Sequence, residues 1–149
     1  MKKKTLAKNK KAFFDYEILD TLEAGIALIG SEVKSVREGR IQLKGSYVSI
    51  RGAEVFLVGA HISPYQQGEK FEPGRERKLL LKKQEIKNLS GKINTAGLTL
   101  IPTEIYLKNN LIKVAVSVAR GKKKYDKRET KKKRELERQL RREYKNIKI

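Results

Sequence analysis

The segment LIKVAVSVAR, residues 111–120, alternates β-branched apolar residues with other residues along most of its length. The apolar side of the repeat carries Ile112, Val114, Val116 and Val118, and the other side carries Lys113, Ala115 and Ser117. Because successive side chains of a strand point to opposite faces of a sheet, the pattern predicts a half-buried strand with its apolar face inward. Asn109 and Asn110 precede it and predict a tight turn, and therefore an antiparallel hairpin with GLTLIPTEIYLKN.

Other segments of the central chain also show strand patterns. SYVSI and VFLVGAHI flank the glycine-containing RGAE and predict a second hairpin, and FFDYEIL with EAGIALIG predicts a strand that bends at Gly25. SEVKSVREG predicts a short helix with Ser31 as its N-cap and Gly39 at its end. Leu80, Ile86 and Leu89 lie near helical spacing. These patterns predict a mainly β body of about six strands and two or three short helices, closed enough to resemble a small barrel.

The net charge of +19 arises from 36 Lys or Arg and 17 Asp or Glu residues, and it is clustered at both ends of the chain. Residues 1–11 carry six Lys, and residues 120–149 carry 15 Lys or Arg against five acidic residues. Such a field attracts polyanions, of which nucleic acid is the commonest in a cell. We therefore expect a flexible basic arm at 1–11, a barrel at 12–120 and a basic tail at 121–149.

The tail begins with GKKKYDKRE and continues with residues that are mostly charged. Four apolar or aromatic residues form one thin stripe at helical spacing: Leu136, Leu140, Tyr144 and Ile147. Helical stability in proteins comes mostly from packing, and this stripe buries little. We therefore expect a tail that is disordered or fraying when alone and helical when bound to its target.

A catalytic function finds little support in the sequence. With no Cys and a single His, disulfides, thiolate metal sites and a cysteine nucleophile are excluded. His61 ends an apolar segment and is interpreted as structural. A cluster of carboxylates offers Mg²⁺ ligands, as a nuclease would use: Asp15, Glu17, Asp20 and Glu23. No accompanying acid or base completes that constellation, so we expect no enzyme, no metal, no cofactor and no small-molecule substrate.

The sequence also predicts where the protein works. No apolar run approaches the roughly twenty residues of a membrane span, and the basic N-terminus lacks the apolar core of a secretory signal. We therefore expect a cytoplasmic protein with no membrane partner. A membrane-surface helix remains an alternative for the tail, but its apolar stripe has no Trp or Phe.

Aromatic residues are interleaved with Lys and Arg, as in proteins that hold single-stranded or irregular RNA. Phe13, Phe14 and Phe56 are assigned to the core. Tyr65 and Tyr125 lie in segments without a core pattern and are better candidates for RNA contact. The pattern favours a basic β-barrel RNA binder, with a structural ribosomal protein as the alternative of a different class.

Several strings, in order from about residue 8 to about residue 135, closely resemble the small protein B (SsrA-binding protein) family. They include EAGIALIGSEVKS, RKLLL and GKKKYDKRE. The resemblance implies an OB-like barrel that binds transfer-messenger RNA at its tRNA-like domain, in the place of an anticodon arm. It also implies the rescue of stalled bacterial ribosomes, and we expect the protein to be a monomer.

The resemblance further implies which residues carry these roles. Asn9, Glu23 and Leu80 match positions linked to RNA binding. A carboxylate at Glu23 repels phosphate, so its role would be to accept hydrogen bonds from base or ribose donors, or to orient a basic neighbour. The tail motif, which would enter the decoding centre and the empty message channel, matches Gly121, Lys122, Lys123, Asp126, Lys127 and Arg128. Some members have His where this chain has Tyr125; stacking survives that change, and a titratable role does not.

Overall fold

The computed structural model describes residues 3–95, 97–122 and 124–147, and within the last range it describes the side chains of Arg128 and of residues 131–142. Nine strands and four helices lie in these ranges. The strands are β1 Lys3–Lys8, β2 Tyr16–Ile26, β3 Ile41–Gln42, β4 Tyr47–Arg51, β5 Glu54–Val58, β6 His61–Ile62, β7 Arg77–Leu80, β8 Leu98–Lys108 and β9 Leu111–Gly121. The helices are α1 Lys10–Asp15, α2 Gly30–Arg37, α3 Lys83–Ile93 and α4 Lys124–Ile147.

Seven of the strands form one antiparallel sheet in the order β1-β8-β9-β2-β7-β5-β4, and β3 pairs with β6 beside it. Asn109 and Asn110 have φ values of +53° and +63°, the left-handed pair that a tight hairpin turn requires, so the predicted β8–β9 hairpin is confirmed. The prediction of a mainly β body with short helices is also confirmed. The described pairings end at β1 and β4, so the expected closure into a barrel is not confirmed.

The N-terminal segment differs from the flexible arm that its lysines predicted. Residues 3–8 form β1, which pairs with β8 along its length. Glu104 explains the pairing, because its carboxylate accepts hydrogen bonds from Lys3 Nζ at 3.0 Å and from Thr5 Oγ1 at 2.5 Å. Leu6 and Ala7 also pack against the core. A high lysine content therefore did not prevent this segment from joining the sheet.

The predicted first strand is interrupted by a helix that the apolar pattern did not indicate. Residues 10–15 form α1, and the strand begins at Tyr16. Phe13, assigned to the core from the sequence, is 42% exposed on α1. Ala12 is the buried residue of this helix and packs against Ile101 and Ala119 on the sheet.

Strand β9 is buried on both faces at its centre, so the prediction of a half-buried strand is wrong there. Val114, Val116 and Val118 lie in the main core as expected. On the opposite face, α1 covers Ala119 through Ala12. Ser117 is also buried, where its hydroxyl bonds to the hydroxyls of Thr21 at 2.9 Å and Thr103 at 3.1 Å. Ala115, Ser117 and Ala119, the small residues of the alternating pattern, therefore lie on a face of β9 that other parts of the chain cover.

The core also contains an ion pair that the sequence analysis missed. Glu32 of α2 and Arg77 of β7 are both fully buried, and Arg77 Nη2 donates to Glu32 Oε2 at 2.6 Å. Arg77 also donates to the carbonyls of Ala60 and Pro73, and Arg75 bonds to the same carboxylate. The irregular segment at residues 63–76 is therefore bonded to α2 through Arg75 and to Arg77 through the carbonyl of Pro73. Burial opposes ionisation of Glu32, but hydrogen bonds from Arg75, the backbone and Arg77 outweigh it and lower its pKa.

Helix α2 also differs in detail from its prediction. It ends as expected before Gly39, whose φ of +75° suits glycine. Ser31, the expected N-cap, lies one residue inside the helix and is buried. Ile29 occupies the cap position, and its backbone N–H donates to Glu32 Oε1 at 3.0 Å. Glu32 thus caps α2 with one oxygen and holds Arg77 with the other.

Candidate nucleic-acid interface

One cross-strand row organises the outer face of the sheet. The strand registers place five residues of five neighbouring strands side by side: Thr5, Tyr106, Lys113, Gly25 and Leu80. Ile105, Val114 and Ala24, one position away on three of these strands, face the core. The row therefore lies on the solvent side, and its residues come from chain segments up to about a hundred positions apart.

A groove of about 710 Å³ opens at the β2–β7 end of this row. Leu80 is 54% exposed at its floor although it is a large apolar residue. A Cβ on Gly25 would lie 3.2 Å from Leu80 Cβ, so the glycine gives this leucine its space. Lysines line the groove from three elements and from the link before α3: Lys78, Lys82, Lys83 and Lys113. The groove thus combines an apolar floor with cations, which suits a base and its phosphates.

Glu23 lines the same groove, so the structure brings together two of the residues predicted to bind RNA. Its Oε2 accepts a hydrogen bond from Tyr106 O–H at 2.5 Å and from Lys108 Nζ at 3.4 Å. The hydrogen bond from Tyr106 is the main cause that lowers the pKa of Glu23. A carboxylate that is ionised at neutral pH therefore lies in the same groove as Leu80.

Asn9 lies apart from Glu23 and Leu80, and its side chain has a structural task. It is 4% exposed, and its Nδ2 donates to the carbonyls of Pro102 at 2.9 Å and Leu43 at 3.4 Å. Its Oδ1 accepts from the backbone N–H of Ala12 at 3.2 Å and so caps α1. The surface groove beside it, about 530 Å³, carries Lys8, Lys10, Lys11 and Lys44 on its walls. Asn9 thus fixes the backbone that presents these lysines.

The tail leaves the body at a point held by hydrogen bonds to α1. Gly121, the last residue of β9, pairs with Tyr16. The backbone N–H of Lys122 donates to the carbonyl of Asp15 at 2.8 Å, and its Nζ donates to the carbonyl of Phe13 at 3.0 Å. The first two residues of the tail motif therefore belong to the folded body, and the boundary between body and tail lies after Lys122.

Beyond this point the chain forms α4, in which Arg128 and residues 131–142 are all exposed. Lys123 lies outside the described residues, as do the side chains of Tyr125, Asp126 and Lys127. Arg134 lies 5.9 Å from the centre of the Phe14 ring and so brings α4 near α1. The helix exposes Leu136 and Leu140, which agrees with a stripe too thin to bury much.

Two of the four carboxylates proposed as Mg²⁺ ligands are bonded to other side chains. Asp20 bonds to Lys92 Nζ of α3 at 2.5 Å, and Glu23 bonds to Tyr106. Among the described residues, no group of three or more His, Asp or Glu side chains is placed to hold a metal ion. His61, interpreted as structural, lies exposed on β6 opposite Gln42. The candidate interface is therefore the grooved outer face of the sheet together with the exposed surface of α4.

Comparison with known proteins identifies the chain's relatives. The family model described as SmpB protein matches residues 6–146. The chain belongs to the SmpB family. SsrA-binding proteins of Halothermothrix orenii and Clostridium novyi are 53% and 54% identical to it, over 95% and 93% of this chain and 93% and 92% of theirs. That of Enterococcus faecalis is 50% identical over 96% of this chain and 94% of its own.

A solved structure is also similar to the chain. It is described as "tmRNA-SmpB: a journey to the center of the bacterial ribosome", and the match has a TM-score of 0.67 and 44% sequence identity. The match covers 83% of this chain and 92% of that chain. The family model spans Asn9, Glu23, Leu80 and the whole tail motif. Within the described ranges, no helix is both long and apolar enough to cross a membrane.

The sequence patterns did not predict three features of the candidate interface. These are Tyr106, the position of Gly25 beside Leu80, and the lysines that line the groove. In the sequence of β8, Tyr106 follows Ile105 and therefore lies on the opposite face of the strand from this apolar residue. Its position beside Glu23 depends on the β8–β9 and β9–β2 registers, which local patterns do not specify. Tyr65, predicted as an RNA contact, is half-buried beside Lys34 Nζ, 5.4 Å from its ring centre.

Proposed function

We propose that this protein binds transfer-messenger RNA (SsrA RNA) and delivers it to stalled bacterial ribosomes for trans-translation. The proposal is carried by the match of residues 6–146 to one family whose relatives are named SsrA-binding proteins, at about 50% identity. The similar solved chain comes from a tmRNA–SmpB structure of the ribosome. These findings favour an RNA carrier over both the nuclease and the structural ribosomal protein.

The grooved outer face of the sheet supports the RNA-binding part of the proposal. Leu80 offers an apolar surface to an unstacked base, and Glu23 offers an acceptor to a base or ribose donor. The lysines of the groove supply the phosphate contacts that dominate affinity. In the proposal this face holds the tRNA-like domain, so that the body stands where an anticodon arm would be.

Helix α4 supports the part of the proposal that concerns the ribosome. Helix α4 has 24 residues, which at about 1.5 Å per residue makes it roughly 36 Å long. Its described basic side chains are exposed and available to a polyanion. We place the motif of Gly121, Lys122, Lys123, Tyr125, Asp126, Lys127 and Arg128 at the decoding centre and α4 in the empty message channel. A message already in that channel would compete for the same phosphate-lined space.

In this proposal sensing and delivery need no catalysis, no cofactor and no small-molecule substrate. Binding of the RNA and exclusion by a bound message are sufficient to distinguish a stalled ribosome from a translating one. We propose that the protein is a cytoplasmic monomer without a membrane partner.

A capture experiment tests the proposal. Tagged full-length protein is recovered from bacterial lysate at two salt concentrations, and the bound RNA is sequenced. We expect transfer-messenger RNA to dominate and ribosomal RNA to fall away at high salt. Recovery of stoichiometric ribosomal RNA from salt-washed subunits, without transfer-messenger RNA, would instead support a structural ribosomal protein. Mg²⁺-dependent cleavage of the captured RNA would revive the nuclease.

A further inference from the structure

Tyr106 occupies an unusual position on the outer face of the sheet. Although it faces away from the core, it is 5% exposed. Lys3 Nζ covers its ring at 4.4 Å from the centre, and its hydroxyl donates to Glu23 Oε2 at 2.5 Å. The side chain is therefore held by β1 on one side and aimed at one carboxylate oxygen on the other.

The charged groups around Glu23 favour a fixed, ionised carboxylate. Tyr106 and Lys108 approach it from β8, and Lys113 of β9 adds a further positive charge. Together they lower the pKa of Glu23, with the Tyr106 hydrogen bond as the largest contribution. Burial and the neighbouring carboxylate raise the pKa of Tyr106, so its hydroxyl keeps the proton that it donates.

The position of this carboxylate restricts what it can recognise. An ionised carboxylate accepts hydrogen bonds and repels phosphate. Gly25 lies two residues along β2 from Glu23 and directly opposite Leu80, which makes Glu23 a diagonal neighbour of Leu80 at about 7–8 Å. A base lying on Leu80 can therefore turn an edge toward Glu23.

The Watson–Crick edge with two adjacent donors belongs to guanine, which presents N1–H and N2–H₂. Adenine, cytosine and uracil each present one donor group on that edge. A carboxylate held in one orientation accepts both guanine donors at once, whereas a freely rotating carboxylate must first lose conformational freedom.

We propose that Tyr106 is a positioning residue that holds Glu23 as the acceptor for the Watson–Crick edge of an unstacked guanine seated on Leu80. The inference rests on the proposed function, because the RNA role of Glu23 and Leu80 is part of it. It adds a base class and a residue that acts through Glu23.

The first test removes one hydroxyl. Binding of the full-length protein to labelled transfer-messenger RNA is measured by fluorescence anisotropy between pH 4 and pH 8. Tyr106→Phe should weaken binding about tenfold at pH 7, the size expected for a hydrogen bond to a charged group. The loss should grow between pH 5 and pH 4, because without the phenol the pKa of Glu23 rises toward its ordinary value, about 4.3, and the carboxylate is protonated there. Tyr47→Phe, at a tyrosine that is 48% exposed, is the matched control and should bind as wild type.

A loss that is the same at every pH would indicate a merely structural role and overturn the positioning assignment, as would unchanged affinity. Thermal unfolding of Tyr106→Phe, compared with Tyr47→Phe, separates misfolding from loss of the contact. The double variant Tyr106→Phe/Glu23→Gln should bind no more weakly than Glu23→Gln alone, because Tyr106 acts through Glu23.

The second test addresses the base. Pentanucleotides UUGUU, UUIUU and UUAUU, where I is inosine without the N2 amine, are titrated into the full-length protein while the backbone amide signals of Gly25 and Leu80 are followed by NMR. UUGUU should bind about tenfold more tightly than UUIUU, because one donor is missing. The preference should vanish in Glu23→Gln. Equal binding of UUGUU and UUIUU by the wild-type protein would overturn the guanine assignment. Failure of the wild-type protein to bind transfer-messenger RNA would instead count against the proposed function.

Discussion

The sheet and helix α4 use the same charged residues in opposite ways. In the body, Arg77 is fully buried and donates hydrogen bonds to Glu32 and to backbone carbonyls. Lys122, at the edge of the body, is bonded to α1. In α4, by contrast, every residue from 131 to 142 is exposed. Net charge alone does not distinguish these two states, because it counts a buried arginine and a solvated one equally.

The difference suits one small chain to the two kinds of contact that we propose. Charges bonded within the body shape grooves whose binding depends on fixed geometry. Charges exposed on α4 are free to replace counterions along a polyanion, an interaction that depends on salt more than on exact placement. We therefore expect changes to the body to act on folding and on RNA specificity, and changes to the tail to act on ribosome engagement.

The largest expected effect comes from the same substitution made in each region. Arg77→Met leaves Glu32 without one of its buried partners and should lower the free energy of unfolding by about 3–5 kcal/mol. Arg138→Met, on the exposed helix, should change it by less than about 0.5 kcal/mol. Urea denaturation followed by circular dichroism measures both. Similar losses for the two variants would contradict the distinction between buried and solvated charge.

The pH dependence of that effect has a definite sign. Because its hydrogen bonds lower the folded-state pKa of Glu32, the stabilisation is complete above the unfolded pKa, about 4.3, and is lost as the pH falls through the folded value. The stability difference between wild type and Arg77→Met should therefore be constant near neutral pH and shrink in strong acid.

Truncation separates the two regions directly. The cut belongs after Lys122, because Gly121 and Lys122 are bonded to the body. The shortened protein should keep its affinity for transfer-messenger RNA within about threefold at moderate salt and lose at least about 100-fold in peptide tagging, measured in a reconstituted translation system with a truncated message. Loss of RNA affinity together with tagging would show that the tail contributes to the first step.

A smaller effect compares two exposed leucines. Leu80 is 54% exposed in the groove and Leu136 is 56% exposed on α4, so alanine substitutions remove similar solvent-exposed surface. Leu80→Ala should weaken binding to transfer-messenger RNA about tenfold, because a base loses its apolar contact. Leu136→Ala should leave that affinity unchanged. Equal affinities for the two variants, by gel shift, would remove Leu80 from the interface.

Local patterns predicted much of the fold correctly. The hairpin between β8 and β9 follows from alternation and from two residues, Asn109 and Asn110, that tolerate positive φ. Local patterns did not predict the contacts that a segment makes with a partner segment far away in the sequence. Strand β1 is bonded to Glu104 of β8, and α1 packs through Ala12 over Ala119 of β9. From their neighbours in sequence alone, Arg77 and Glu32 would be placed on the surface. Both are buried, because other segments of the chain pack over them.

The candidate site was also predicted from the sequence only in part. The residue types of the interface, its basic character and the probing tail were predicted from the chain itself and from its family resemblance. The tertiary structure decided that Glu23 and Leu80 share a groove, that Asn9 is buried where its amide donates to the Pro102 carbonyl, and that Tyr106 reaches Glu23. Composition and periodicity depend on neighbours in sequence, whereas these contacts join residues up to 93 positions apart through strand register and helix packing.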